Sequence, residues 1–273
     1  MTQAVLAHIR EGHGPSLLLI HGGVGSHNHW VRNVPELARY FTVVAVDLPG
    51  YGASHDVPED IQPEAYLDMV ADAARLLCGI HFYVCGFSFG GVVAAAIAAR
   101  LPTNVARLSL IAPGGFGVPK GRQLDVRPLP RERAESEEVR AALRHNLTVT
   151  MLADPAVADD ATVELHRNNI ERTRFDSRRL SLQERLPADL RRIACPLQVI
   201  WGERDLLAYP SIADRVERVM AVVPTARVDI IANGGHWIQY ECPTETNRVL
   251  LEFMRFAPET NPSPQIQPKE KCT

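Results

Sequence analysis

The sequence predicts an α/β fold: a mostly parallel, twisted sheet with helices on both faces and an all-helical cap inserted into it. Three observations carry this prediction. Short apolar runs rich in β-branched residues recur along the chain. Helical stretches alternate with them. The alternation stops between about residues 114 and 186, where only polar, helix-forming segments occur.

The strand candidates are 16–20 (SLLLI), 42–46 (TVVAV), 82–85 (FYVC), 107–111 (RLSLI), 197–201 (LQVIW) and 228–231 (VDII). Their hydrophobicity is continuous rather than alternating, as expected for strands covered on both faces of a parallel sheet. The helix candidates are 63–77, 90–101, 210–223 and 243–256. The second is rich in Ala and Val and can pack closely on a sheet, and the last two begin near a proline, which suits a first helical turn. Within the interruption, 136–152, 156–173 and 177–186 read as cap helices. The domain reading is therefore a core of residues 1–113 and 187–257, a helical cap of 114–186, and a Pro-rich polar tail of 258–273. The tail is too polar to order itself by burial.

The chain has 273 residues, 46% of them hydrophobic and 22% charged, with a formal net charge of −3. That balance excludes the basic footprint of a nucleic-acid binder. No apolar run reaches the ~18 residues that would span a bilayer. Cys78, Cys85, Cys195, Cys242 and Cys272 are odd in number and include no CxxC pair, which argues against a disulfide framework or a structural zinc site. The start, MTQAVLAHIREGHG, lacks the pattern of a signal peptide. A reduced, cytoplasmic location is expected, with a small molecule as partner, no nucleic acid and no membrane. Oligomeric state stays open, a homo-oligomer included.

The strongest chemical signal is Gly86-Phe87-Ser88-Phe89-Gly90, placed between a strand and a helix. A nucleophile on such a turn must take strained backbone angles, and the glycines leave room for it. The following helix start offers free N–H groups and the positive end of a dipole. A serine hydroxyl also needs a base that is held by a third group. Asp205 follows the strand ending in Trp201, and His236 follows the strand at 228–231. Both lie just past strand C-termini, where open parallel sheets place ligands. Asp47 is the alternative acid, read here as shaping its own loop. His27 and His29 form an HxH pair, but no third ligand sits at a persuasive spacing, so no metal is expected; they read as loop histidines at the pocket entrance or as simply solvent-exposed.

Together these residues resemble the α/β-hydrolase family over about residues 14–257. The order Ser, Asp, His is that family's order, and His21-Gly22-Gly23 and Asp47-Leu48-Pro49-Gly50-Tyr51-Gly52-Ala53-Ser54 look like its loops after successive strands. The resemblance implies an α/β-hydrolase fold, catalysis by Ser88, His236 and Asp205, an oxyanion hole from the backbone N–H groups of Gly23 and Phe89, and no cofactor. Serine at the elbow argues against the dehalogenases and epoxide hydrolases of the superfamily, which use Asp there.

Three segments resemble more specifically the meta-cleavage-product hydrolases, which cleave C–C bonds. They are 234–241 (GGHWIQYE), 30–34 (WVRNV) and 164–170 (ELHRNNI). This resemblance implies a substrate contact from Trp237 and puts Arg167 on a carboxylate-binding position; His29, as a loop histidine at the pocket entrance, is a further candidate contact. A guanidinium suits a carboxylate by its planar fork. Glu164 and Glu171 also sit at helical spacing from Arg167, so a surface ion pair is an equal reading. That family often has Asn before the nucleophile; Phe87 stands here and makes the pocket greasier. The loop 23–29 is also shorter than the family's. The leading expectation is a hydrolase of small-to-medium carboxylic esters or related acyl compounds. The alternative is a C–C bond hydrolase of a vinylogous diketo acid. A non-catalytic small-ligand receptor of the same fold is the reading from another class.

Overall fold

The computed structural model describes residues 6–129 and 136–255. Seven strands form one sheet in the order β1-β3-β2-β4-β5-β6-β7. They are β1 (His8–Glu11), β2 (Ser16–Ile20), β3 (Thr42–Val46), β4 (Phe82–Phe87), β5 (Val105–Ile111), β6 (Leu197–Gly202) and β7 (Arg227–Ile231). All neighbours are parallel except β1, which runs antiparallel to β3. This is the α/β-hydrolase architecture the sequence predicts. The central strands are mostly buried, β6 over its full length and β2, β4 and β5 toward their C-terminal ends, because helices cover the sheet.

One strand was absent from the sequence reading. β1 (HIRE) is short, half-exposed and charged. It carries no apolar run because it is an edge strand with one neighbour.

The helices Pro63–Cys78, Phe89–Arg100, Ile212–Met220 and Pro243–Arg255 fall where expected, with shifted ends. The third starts at 212 rather than 210 because the Ser211 hydroxyl accepts from the Asp214 N–H at 3.1 Å, which makes Ser211 the cap. The helix Phe89–Arg100 is buried from Phe89 to Ala99. Its small side chains bring it against β2, β4 and β5.

No strand lies between β5 and β6 among the described residues. This insert holds the helices Glu137–Thr150 and Asp160–Glu171, which pack on each other. The second is shorter than the expected 156–173, since Asp159 caps it by accepting from the Thr162 N–H at 2.8 Å. The expected helix 177–186 is instead two short ones, Arg178–Ser181 and Leu186–Leu190. Between them the backbone pairs with the loop after β5: Gly115 N–H donates to Ser181 O at 2.8 Å, and Leu186 N–H to Gly115 O at 2.9 Å. Those bonds replace helical ones. The tail 258–273 and Cys272 lie outside the described residues. Among the described residues, no helix is long and apolar enough to cross a membrane.

Candidate active site

The site begins at the joint between β4 and the helix Phe89–Arg100. Ser88 alone makes the joint, with φ +53° and ψ −112°. A non-glycine residue in that region is strained and persists only where its surroundings fix it. Here the Ser88 N–H donates to Ile111 O at 2.9 Å. The Ser88 carbonyl accepts from Gly91 N–H at 3.0 Å and Gly114 N–H at 3.1 Å. A Cβ on Gly86 would run into the Gly90 carbonyl, and one on Gly90 into the carbonyls of Ile20 and His21. The glycines at 86 and 90 are therefore a packing requirement of the sharp turn.

His236 and Asp205 arrive from the loops after β7 and β6. Those loops are tied by Glu203 N–H to Ile231 O (2.9 Å) and Arg204 N–H to Gly234 O (2.8 Å). His236 Nδ1 lies 2.9 and 3.0 Å from the two Asp205 carboxylate oxygens, and His236 Nε2 lies 3.0 Å from Ser88 Oγ. An ionised carboxylate only accepts, so Nδ1 is the protonated nitrogen and the Nε2 lone pair faces the hydroxyl. Asp205 also accepts from the Leu207 N–H at 2.8 Å. His236 and Asp205 are buried, which strengthens these contacts.

Glu241 holds the histidine loop, a role the sequence did not reveal. One carboxylate oxygen accepts from Gly235 N–H at 2.6 Å, and the other from Ala153 and Asp154 N–H at 2.8 and 2.7 Å. One side chain thus ties the loop before His236 to the insert.

The loop after β2 forms the other wall. His21 Nδ1 is 2.7 Å from Gly22 O, and His21 Nε2 accepts from Leu48 N–H at 3.0 Å. That pattern requires a neutral ring, and burial lowers its pKa to about 4. A Cβ on Gly22 would stand 3.5 Å from the Ser88 Cβ, and one on Gly23 would stand 3.6 Å from the Phe89 Cβ. Among the described residues, neither the Gly23 nor the Phe89 N–H has a protein acceptor. Asp47 is taken by the His27 ring (2.8 Å), the His27 N–H (2.7 Å) and the Ala53 N–H (2.9 Å). Burial works against its charge, but these bonds prevail and hold the carboxyl below its ordinary value. It shapes its own loop and does not meet His236.

Ser88, His236 and Asp205 line a cavity of about 160 Å³ whose other walls include Phe116, Arg122 and Arg215. Four residues expected to touch substrate stand elsewhere. Phe87, His29 and Trp237 are buried behind the site rather than in its wall. Phe87 packs on the His236 ring at 5.1 Å between centroids, and on His29 at 5.5 Å. The Trp237 indole N–H donates to His29 O at 3.2 Å, and its ring stacks on Tyr240 at 4.0 Å. These aromatic groups fix the histidine loop from behind. The Arg167 guanidinium is occupied by Glu164 (2.6 and 2.9 Å) and Glu171 (2.5 Å) and does not reach the cavity. The ion-pair reading describes it, and the i±3 and i±4 spacing is the reason.

Sequence reasoning missed Arg122 and Arg215. For Arg215 a signal existed. On the helix Ile212–Met220 it falls with Val219 on the buried stripe. A charge at a core-facing helical position is unusual enough to flag. Arg122, in an irregular loop, gave none.

Residues 17–249 match the alpha/beta hydrolase family. The chain belongs to that family. It is a hydrolase, similar over most of its length to hydrolases of two kinds. It is 26% identical to monoacylglycerol lipase ABHD6 of Bos taurus, across 94% of this chain and 80% of the relative. It is 25% identical to 2-hydroxy-6-oxo-6-phenylhexa-2,4-dienoate hydrolase of Burkholderia cepacia, across 90% of each. The fold also matches the solved structure of a meta-cleavage product hydrolase (CumD) from Pseudomonas fluorescens IP01. That match has a TM-score of 0.73 and 22% identity, and covers 92% of this chain and 96% of the other.

Proposed function

We propose that this alpha/beta hydrolase is a serine hydrolase of small-to-medium carboxylic esters or related acyl compounds. The observation that carries the reading is the unbroken hydrogen-bond path from Ser88 Oγ through His236 to Asp205. His236 takes the Ser88 proton as the oxygen attacks the carbonyl. The N–H groups of Phe89 and Gly23 receive the oxyanion, a contribution typically worth ~10²–10³ in rate per donor. His236 then protonates the leaving group, and Asp205 holds its tautomer and stabilises the imidazolium. Water activated by His236 releases the acid. The chemistry draws only on the chain's own residues. The helices between β5 and β6 act as a cap over the cavity.

Cleavage of a C–C bond in a vinylogous diketo acid is the second reading, favoured by the likeness to the Burkholderia cepacia hydrolase. The ester reading is preferred because Arg167 is engaged by glutamates and Phe87 brings no amide to the elbow.

A fluorophosphonate probe tests the nucleophile. It is expected to label the wild-type protein and not a Ser88→Ala variant, which should lose on the order of 10⁶ in ester turnover. Equal labelling of both would overturn the assignment. An Asp205→Asn variant should keep the fold and lose about 10⁴ in kcat. A loss below tenfold would remove Asp205 from the mechanism.

A further inference from the structure

Two guanidinium groups face the Ser88 cavity without an anion to match them. Arg215 is only 7% exposed, and its guanidinium carbon stands 4.4 Å from the centre of the Phe116 ring. Among the described residues no hydrogen-bond acceptor and no carboxylate within ion-pair distance serves it. Arg122 gives one N–H to Leu207 O at 3.1 Å and is otherwise unpartnered in the same sense. Other partly buried arginines among the described residues behave differently. Arg100 pairs with Glu64 and Asp68, and Arg185 with Glu64 and Asp189. Arg218, next to Arg215 along the helix, donates to Glu184 and to Phe116 O.

The cavity's own carboxylate does not answer the two arginines. Asp205 is committed to His236 and the Leu207 N–H. With a neutral imidazole at His236, the lining therefore carries two positive charges and one negative. Buried charge without a partner is costly, and natural proteins retain it where something binds. Burial draws both guanidinium pKa values below the ordinary range against the opposing pull of Asp205, and for Arg215 the neighbouring Arg218 adds to the depression while Asp214, outside ion-pair distance, opposes it. The ring contact with Phe116 holds the Arg215 fork in place.

We propose that Arg122 and Arg215 form an anion subsite, so that the preferred substrate carries a free carboxylate in addition to the ester that is cleaved. The inference rests on the Ser88 reading above for what is cleaved, but the subsite stands on the arginines. A guanidinium fork binds a carboxylate through two parallel hydrogen bonds, and a desolvated site makes those bonds stronger. The cavity of about 160 Å³ suits a short-chain half-ester. The subsite lies on the β5–β6 side of Ser88, opposite the Gly23 loop, and is built from residues unrelated to Arg167.

The test compares monoethyl with diethyl esters of succinate and glutarate. Wild-type kcat/KM should favour the half-esters, and the preference should fall about 10- to 100-fold in Arg122→Gln and in Arg215→Met. A role confined to supporting Asp205 would lower both substrates alike and leave the ratio in place, which would overturn the proposal. Calorimetric binding of glutarate and of its uncharged diamide to the wild-type protein needs neither a variant nor an active serine. Glutarate should bind and the diamide should not; equal binding, or none by either, overturns the subsite. Loss of fluorophosphonate labelling would instead defeat the Ser88 reading and leave the binding result to judge the arginines.

Discussion

The elbow at Ser88 and the helices of the insert are held by different balances of backbone and side-chain contact. At the elbow, backbone meets backbone. The Gly90 Cα sits against the carbonyls of Ile20 and His21, and Gly86 against that of Gly90. The insert has backbone ties to the core at its ends, such as Arg174 N–H to Gly50 O at 2.9 Å and Trp237 N–H to Met151 O at 2.7 Å, but its helices are held largely by side chains: Arg144 to Asp160 (2.5 Å), Arg167 to Glu164 and Glu171, Arg174 to Asp56, and Arg179 to the Ile61 carbonyl (2.5 Å). A modest apolar seam of Leu143, Leu147 and Val163 lies beneath. Backbone contacts leave no room for substitution. Exposed ion pairs each contribute little and can be exchanged. The candidate nucleophile thus sits where backbone packing leaves least freedom, and much of the wall around the cavity comes from the insert.

The sharpest way to break this contrast is Gly90→Ala. The added methyl meets two backbone carbonyls, and the neighbouring helix and β2 must separate to admit it. The expected cost is at least about 3 kcal/mol in urea unfolding, with loss of ester turnover. A cost below about 1 kcal/mol would mean that the elbow yields, and that its geometry is not set by backbone packing.

The second test concerns His21, which braces the loop facing the elbow. Its folded-state pKa is depressed to about 4 by burial, against an ordinary 6.5. The unfolded chain therefore binds the proton more readily than the folded one. Stability is complete above pH 6.5 and is lost as pH falls toward 4. Between pH 7 and 5, His21 should account for about 2 kcal/mol of lost unfolding free energy. A His21→Gln variant can keep both hydrogen bonds without titrating, so its stability should depend less on pH over that window. Identical slopes for the two proteins would show that the ring is free to protonate in place.

The same contrast explains what could be read from the sequence. That Ser88, Asp205 and His236 come together is legible because each falls at the C-terminal end of a strand of one parallel sheet, and the glycines are legible because sterics demand them. The five inner strands β2–β6 were legible because coverage on both faces requires continuous apolar runs, and β7, a half-buried edge strand, through the short apolar run at its end. β1 was not, since an exposed edge strand needs only backbone pairing and tolerates charge. The helix boundaries in the insert depended on Asp159 and on the Gly115 backbone pairing with 181 and 186, a contact between distant residues. Arg167 lies in the segment 164–170 that resembles the meta-cleavage-product hydrolases. Its pairing was decided by neighbours one helical turn away, which were visible in and just beyond the same segment. Arg215 showed only as a charge on an apolar stripe, and its meaning depended on what the fold brought opposite it.

Arg167 gives the smallest expected effect. Its guanidinium spans Glu164 and Glu171 on one helix, and the two carboxylates are more than one-third exposed. Removing it in Arg167→Ala leaves two glutamates in contact with water, where their charge is solvated rather than stranded. The loss of stability should stay under about 1 kcal/mol, the usual ceiling for exposed pairs. Ester turnover should change by less than about threefold, because the side chain does not line the cavity and the backbone of the helix Asp160–Glu171 is capped independently by Asp159. A tenfold rise in KM for a carboxylate-bearing substrate, with stability intact, would mean that the guanidinium leaves its glutamates to meet the ligand. It would then be the helix Asp160–Glu171, rather than the wall formed by Arg122 and Arg215, that selects the anion, and the exchangeable side-chain contacts of that helix would belong to the binding site itself.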